Sequence, residues 1–314
     1  MTVAFDREGV KDSAARLRDE RLQLAPAVPA GRGWAPAQRE VAELCATPPT
    51  DIAGVLTRLT AAQKIFDGLP PRAGNRVAAF NSLYFTITDR VATSLRGAEV
   101  RDPAFLELLD VEFAKRYFDA LRLWGVDDAA TPDAWEVLFR RAKDGRVSKL
   151  TASMLGVNAH INHDLALALI ATWERLGPPT DDVIHPDYLL INKIFYAEIP
   201  TLRRRYSTSW QLRLDALVGD LDDWSQRVLV AATRAQAWEQ AQRLWMLRGR
   251  EEDLARAKLV MDRASAYVGE LLITGDGFVN RIGAVLRATR DALRRLLSKL
   301  LPAKRMPAKR MPAK

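Results

Sequence analysis

The chain has 314 residues, 48% of them hydrophobic, which is enough for one large domain or two smaller ones with a sizeable core. Its 17 glycines and 16 prolines exclude collagen-like and low-complexity classes. The single cysteine, Cys45, excludes an internal disulfide and a zinc site built from several cysteines. The charged N-terminal residues lack the apolar core of a signal peptide, and no uncharged apolar run is long enough to span a membrane. We therefore expect a cytoplasmic protein.

The positive charge is concentrated at the C-terminal end of the chain. The whole chain carries a formal net charge of +8, from 47 Lys and Arg against 39 Asp and Glu. Residues 276–314 contain 11 of the basic residues and only two acidic ones, so this segment carries +9 and the rest of the chain −1. The body is close to neutral, and the basic composition is weak evidence that it binds nucleic acid.

Apolar residues at helical spacing predict an all-α protein, an irregular multi-helix bundle that forms a single globular body. Asp102 and Pro103 supply an N-cap and a first-turn proline to one helix, and Pro200 is expected to end another. Trp238 and Trp245 lie seven residues apart, on one face of a predicted helical hairpin. The predicted helices cover 3–24, 37–46, 50–66, 75–96, 103–124, 132–144, 147–176 and 186–198, followed by the hairpin over 221–273.

We divide the chain into four parts. Residues 1–35 are predicted to be an N-terminal helix and a Pro/Gly linker, and residues 36–274 the helical domain. Residues 275–301 form a predicted basic amphipathic helix. Residues 302–314 repeat the letters PAKRM, and a proline every five residues predicts a disordered basic tail.

The basic C-terminal part has two interpretations that the sequence leaves open. The helix can close the fold by packing its leucine face on the body, with its arginines in water. Alternatively, residues 276–314 bind an anionic membrane surface, since basic amphipathic helices are suited to that task. The protein would then be peripheral at the inner membrane surface. No stacking aromatic residues accompany the charges of the tail, which argues against specific nucleic-acid binding.

A polar cluster interrupts an apolar stretch of the predicted helix over 147–176. His160, His163 and Asp164 are three and four residues apart and therefore share one helix face. From Leu165 onward the helix is apolar on every side, which predicts that it is buried. Buried polar groups need partners or a functional reason, so this cluster is the leading candidate site.

Three kinds of site fit the cluster. A divalent metal ion could be held by His160, His163 and Asp164, with Asp187 from the next helix as a further ligand. A metal-free acid–base site is the second hypothesis, and Asp110 is a candidate to approach from the helix over 103–124. The third is a structural hydrogen-bond network.

A second motif, the aspartate pair Asp181–Asp182, weakly suggests an isoprenoid cyclase-like enzyme. Helix capping explains the same pair without a catalytic role.

Several stretches of the chain together resemble the bacterial family described as domain of unknown function 5995. The resemblance covers roughly residues 48–272 and implies an all-helical bacterial protein, without implying an activity. Among the matching positions it also singles out Tyr117 as a candidate site residue. The matching stretches are AFNSLYFTIT (79–88), DPAFLELLDVEFAKRYFDAL (102–121), Trp135 with Leu138-Phe139, GVNAHINHDLALAL (156–169), DYLLIN (187–192) and ATRAQAWEQAQRLWMLR (232–248).

The sequence therefore predicts a pocket lined by His160 and Asp164, with Asp110, Tyr117 and Asp187 approaching from neighbouring helices. The pocket would bind a small molecule, of lipid-like character in one version of the hypothesis. If the protein is an enzyme, metal-assisted hydrolysis is the reaction that the cluster favours. The alternative is a non-enzymatic protein that acts on membranes or partners through its basic C-terminal helix.

Overall fold

The structure is a computed structural model that describes residues 35–69, 75–142, 144, 147–179, 184–206 and 220–273. All of these residues belong to one compact unit, Met1–Thr274. The predicted helix over 3–24, the Asp181–Asp182 pair and the basic C-terminal part all lie outside the described residues.

The described residues confirm the all-α prediction, since they are mostly helical and contain no strand. None of their helices is both long and apolar enough to cross a bilayer. The helices are α1 (Ala35–Leu44), α2 (Ile52–Asp67), α3 (Asn75–Ser94), α4 (Pro103–Gly125), α5 (Asp133–Phe139), α6 (Lys149–Ala159), a π-helical turn (His160–Asp164), α7 (Leu165–Leu176), α8 (Pro186–Tyr206), α9 (Asp220–Met246) and α10 (251–273).

Side-chain caps account for the starts of α2, α4 and α6. The side chain of Asp102 accepts a hydrogen bond from the Phe105 amide at 3.0 Å, and Pro103 occupies the first turn of α4, as predicted. Two predicted ends are wrong. The helix predicted over 132–144 ends at Phe139, and α8 runs through Pro200 to Tyr206. A proline deletes only one helical hydrogen bond, so it does not end every helix in which it lies.

Tryptophan packing joins α7 to α9. The rings of Trp238 and Trp245 both meet the ring of Trp173 edge-on. Their centroids lie 5.3 and 6.0 Å, respectively, from that of Trp173. The seven-residue spacing thus places both side chains on one face, as predicted. Tyr188 of α8 completes this part of the core, its ring centroid 5.0 Å from that of Trp238.

The π-helical turn lies between α6 and α7, in the middle of the longest predicted helix. It is defined by the hydrogen bond that the Leu165 amide donates to the carbonyl of His160, five residues earlier. In this turn the side chains of His160 and Asp164, four residues apart, are hydrogen-bonded to each other. Such turns are concentrated at functional sites, and this one contains both histidines of the predicted cluster.

Helices α3 and α6 approach closely where the ring of Phe80 packs against Gly156. A Cβ atom on Gly156 would overlap the ring of Phe80, so only glycine lets these two helices meet at this distance. We predict that Gly156→Ala lowers the free energy of unfolding by about 1–3 kcal/mol, because overpacking exceeds the gain in helix propensity.

Gly249 provides the matched control, because a Cβ atom there meets open space. Urea unfolding should place Gly249→Ala within about 0.5 kcal/mol of the parent protein. Equal stabilities for both variants would contradict the close packing of Phe80 on α6.

Candidate functional site

The site is built around the carboxylate of Asp164, which is 1% exposed. One oxygen, Oδ2, lies 3.0 Å from the indole Nε1 of Trp135 and 2.9 Å from Nδ1 of His160. The other oxygen, Oδ1, lies 2.8 Å from Nδ1 of His163. The three donors come from α5 and from the π-helical turn itself, so this one carboxylate joins the two elements.

The protonation states of the cluster follow from these contacts. Burial alone would raise the pKa of Asp164, but the hydrogen bonds from His160 and His163 hold that pKa below its usual value. An ionised carboxylate only accepts hydrogen bonds, so both histidines donate to it through Nδ1–H. Burial would lower the pKa of His163, but the hydrogen bond and charge of Asp164 and the charge of Asp262 raise it. Asp164 therefore forms a buried ion pair with His163 whenever that imidazole is protonated.

His160 is the neutral member of the cluster. Burial lowers its pKa, and the hydrogen bond to Asp164 offsets only part of that effect. With the proton on Nδ1, the Nε2 atom carries a lone pair, and this buried atom has no hydrogen-bond partner. The imidazole ring stacks on Phe113 at 3.4 Å between centroids and meets Tyr84 edge-on at 4.5 Å. The surroundings of His160 are thus apolar on both of these sides.

A cavity opens beside His160 between α3, α4, the π-helical turn, α8 and α9. It holds about 600 Å³ of space between protein atoms, including its opening toward solvent. The part of this space that the centre of a water molecule can occupy is about 50 Å³, which is room for a few water molecules. The wall is mainly apolar and is formed by Phe80, Leu83, Tyr84, Ile87, Val91, Leu109, Asp110, Phe113, Val157, His160, Ile161, Leu165, Ile191, Phe195 and Arg234.

Three polar side chains besides His160 reach the cavity. Asp110 is 7% exposed and its Oδ2 has no hydrogen-bond partner. Burial raises the pKa of Asp110 to about 7, with a smaller contribution from the charge of Glu107. Tyr84 also lines the cavity, and burial and then the charge of Asp110 raise its pKa. Arg234, from α9, is 3% exposed.

The structure brings together some of the predicted site residues and separates others. His160, His163 and Asp164 meet as predicted, and Asp110 lines the cavity beside them. Tyr117 instead lies in the core, where its hydroxyl is 3.4 Å from the Asn81 side-chain oxygen.

Asp187 has a structural partner elsewhere. Its carboxylate accepts hydrogen bonds from the backbone amides of Arg101 and Asp102, at 2.6 to 3.1 Å, and so fixes the start of α4. It therefore binds a different set of groups from the Asp164 carboxylate.

The predicted metal site gains no support from the donor geometry. His160 and His163 both direct Nδ1 toward Asp164, so the three side chains bond to one another rather than converge on one point. In the part of the chain that the structure describes, no three His, Cys, Asp or Glu side chains are placed to hold an ion. Among the described side chains at the cavity, the Nε2 atom of His160, the Oδ2 atom of Asp110 and the hydroxyl of Tyr84 have no hydrogen-bond partner.

Two important side chains were missing from the predicted site. Trp135 was among the positions that carry the family resemblance, but a tryptophan in a sequence usually indicates a core residue. Its hydrogen bond to Asp164 depends on tertiary contacts, which the sequence does not show. Arg234 did leave a signal, since it is a charged residue one helical turn before the buried pair Ala237 and Trp238. A cation on the apolar face of a helix marks a position that packing alone does not explain.

These features define a class: an all-helical protein in which a buried Asp–His pair presents one unpartnered imidazole nitrogen to an apolar cavity. The chain belongs to the family of unknown function 5995, whose family model matches residues 52–275 and includes every residue of the cluster and the cavity. Searches of curated proteins and of solved structures found no match.

The raised pKa of Asp110 predicts a pH-dependent gain in stability for Asp110→Asn. The carboxyl ionises near 3.8 in the unfolded chain and at about 7 in the folded protein, so rising pH favours the unfolded chain across this window. The asparagine variant escapes this loss. We expect it to be more stable than the parent by on the order of 2 kcal/mol at about pH 8, and no more stable at about pH 4.

Asp119→Asn is the matched control, because Asp119 lies on the same helix with its side chain 57% exposed. Urea unfolding at both pH values should show no pH-dependent gain for that variant. A loss of stability in Asp110→Asn at the higher pH would mean that the Asp110 carboxylate is stabilised in the fold.

Proposed function

We propose that this protein binds an apolar small molecule in the cavity, and that Nε2 of His160 accepts a hydrogen bond or a proton from it. The observation that carries the proposal is the unpartnered Nε2 atom of a 4% exposed histidine at the wall of an apolar cavity. Leaving a buried acceptor unsatisfied costs about 1–3 kcal/mol, which a ligand donor would recover.

The remaining contacts of His160 support this role. Asp164 holds Nδ1–H and so fixes the tautomer in which Nε2 is basic, the arrangement that orients a general base in many enzymes. Stacking on Phe113 fixes the plane of the ring. The imidazole thus has one orientation and one protonation state before any ligand arrives, so little ordering cost accompanies binding.

The proposal extends to an enzyme of the metal-free acid–base kind. His160 would accept a proton at Nε2, and Asp164, held by its three donors, would stabilise the imidazolium that forms. Asp110 lines the same cavity and, protonated up to about neutral pH by its burial, would be the proton donor. Metal-assisted hydrolysis, the reaction that the sequence favoured, stays a hypothesis with less support from this geometry.

The alternative functions rest on residues outside the described part of the chain. Membrane binding through residues 276–314 is supported by the charge of that segment, +9 against −1 for the rest. It stays a prediction that is compatible with a ligand cavity in the body. The cyclase-like alternative depended on Asp181 and Asp182, which the structure does not describe.

The test is the binding of 1-octanol, whose chain suits the apolar wall and whose hydroxyl can donate to Nε2. We predict that octanol binds the full-length protein and that His160→Phe weakens its affinity roughly two- to tenfold, the value of one neutral hydrogen bond. Titration calorimetry measures the affinity, and intermolecular NOEs to the methyl groups of Leu83 and Ile191 locate the ligand.

His185→Phe is the control, because that histidine stacks on Phe105 with its side chain 26% exposed and does not line the cavity. It should bind octanol as the parent does. Failure of the parent protein to bind octanol, or an unchanged affinity in a folded His160→Phe variant, would refute the proposal.

A further inference from the structure

Arg234 is a buried cation at the wall of the cavity. One of its terminal nitrogens donates to the carbonyl of Tyr188 at 3.2 Å, and its guanidinium lies 4.4 Å from the centre of the Tyr188 ring. The Tyr188 hydroxyl in turn donates to the carbonyl of Arg234 at 2.6 Å. The Nε atom of the guanidinium is buried and has no hydrogen-bond partner. Arg234 is therefore held in place, but its charge is not neutralised by these contacts.

Arg141, another buried arginine, has the carboxylate partners that Arg234 lacks among the described side chains. Arg141 is 2% exposed and lies 2.9 Å from Glu270 and 3.8 Å from Asp144, so its buried charge has carboxylate partners. Arg234 is 3% exposed and forms no ion pair with any carboxylate in the described ranges. Burying a charge without a counter-ion is strongly unfavourable. The anion that would balance Arg234 is thus absent from the described side chains.

The surroundings of Arg234 restrict what this anion can be. The cavity wall is predominantly apolar, so a ligand that fills it needs a hydrocarbon portion. A single guanidinium matches one negative charge and offers a planar fork of N–H donors, which suits a carboxylate. Arg234 and His160 line the same cavity, and the charge of Arg234 contributes to the lowered pKa of His160, so one ligand could contact both groups.

We propose that the natural ligand is an amphipathic monocarboxylate, with its carboxylate bound by Arg234 and its hydrocarbon portion against the apolar wall of the cavity. This inference rests on the proposed function, because it uses the same cavity, and it adds the charge of the ligand. The hydrocarbon portion extends past His160, which leaves Nε2 to bind a hydroxyl or another donor on the chain.

Paired probes of equal chain length separate the two proposals. Octanoate and 1-octanol both have eight carbon atoms in a straight chain but differ in charge. Near pH 6.5, where burial keeps Asp110 largely protonated, we expect octanoate to bind the full-length protein at least about tenfold more tightly than octanol. Octanol binding without a preference for octanoate would overturn this inference and leave the proposed function standing. If neither probe binds, the proposed function fails as well.

Two substitutions assign the preference to Arg234. Arg234→Met keeps an unbranched side chain but removes the charge, and its octanoate affinity should fall to that of octanol. Arg234→Lys keeps the charge and should retain part of the preference. Arg243→Met, on the same helix with its side chain 70% exposed, is the matched control and should leave the preference unchanged.

The comparison of octanoate with octanol in the parent protein decides the charge even if Arg234→Met does not fold. A preference that persists in a folded Arg234→Met variant would overturn the assignment to this residue. Octyl phosphate completes the series. Tighter binding of octyl phosphate than of octanoate would overturn the monocarboxylate class, because the site would then prefer a phosphate head group to a carboxylate.

Discussion

The structure of the site depends on one constraint: a carboxylate buried as deeply as that of Asp164 must be surrounded by hydrogen-bond donors. Trp135 supplies one donor from α5, and the two histidines supply the others from the π-helical turn. His163 continues the connection toward Asp262 of α10, which accepts hydrogen bonds from the first amides of α5. Asp164 and Asp262, connected through His163, thus fix the relative positions of α5, the π-helical turn and α10.

The same constraint creates the reactive atom. Since His160 must use Nδ1–H to satisfy Asp164, its second nitrogen is left as an acceptor, and the surrounding aromatic rings supply no donor to it. The structural network and the candidate site are therefore two sides of one arrangement. The ion pair of Asp164 and His163 stabilises the fold, whereas the unsatisfied Nε2 of His160 and the buried carboxyl of Asp110 weaken it. Groups that weaken a fold while facing a cavity are typical of binding and catalytic sites.

The sequence predicted those parts of the structure that depend on local chemistry. Helix periodicity, the Asp102 cap and the shared face of His160 and Asp164 are short-range properties, and the structure confirms them. The partners of Asp187 and the cavity at Arg234 depend on contacts between distant segments, which one sequence does not reveal. The residues that carry the family resemblance fall into two groups: some hold helices together through hydrogen bonds, and others line the cavity. The side chains of Asn81 and Asn158, for example, donate to backbone carbonyls of α2 and α10.

The most direct test is to measure the protonation of His160 and His163. NMR of their imidazole nitrogens reports it as the pH is varied. Burial lowers the pKa of His160, whereas Asp164 and Asp262 raise that of His163. We predict that near pH 6.5 His160 is neutral with its proton on Nδ1, while His163 is charged. Replacing each histidine by glutamine assigns the signals. A His160 that carries its proton on Nε2, or that becomes charged at a higher pH than His163, would contradict the account.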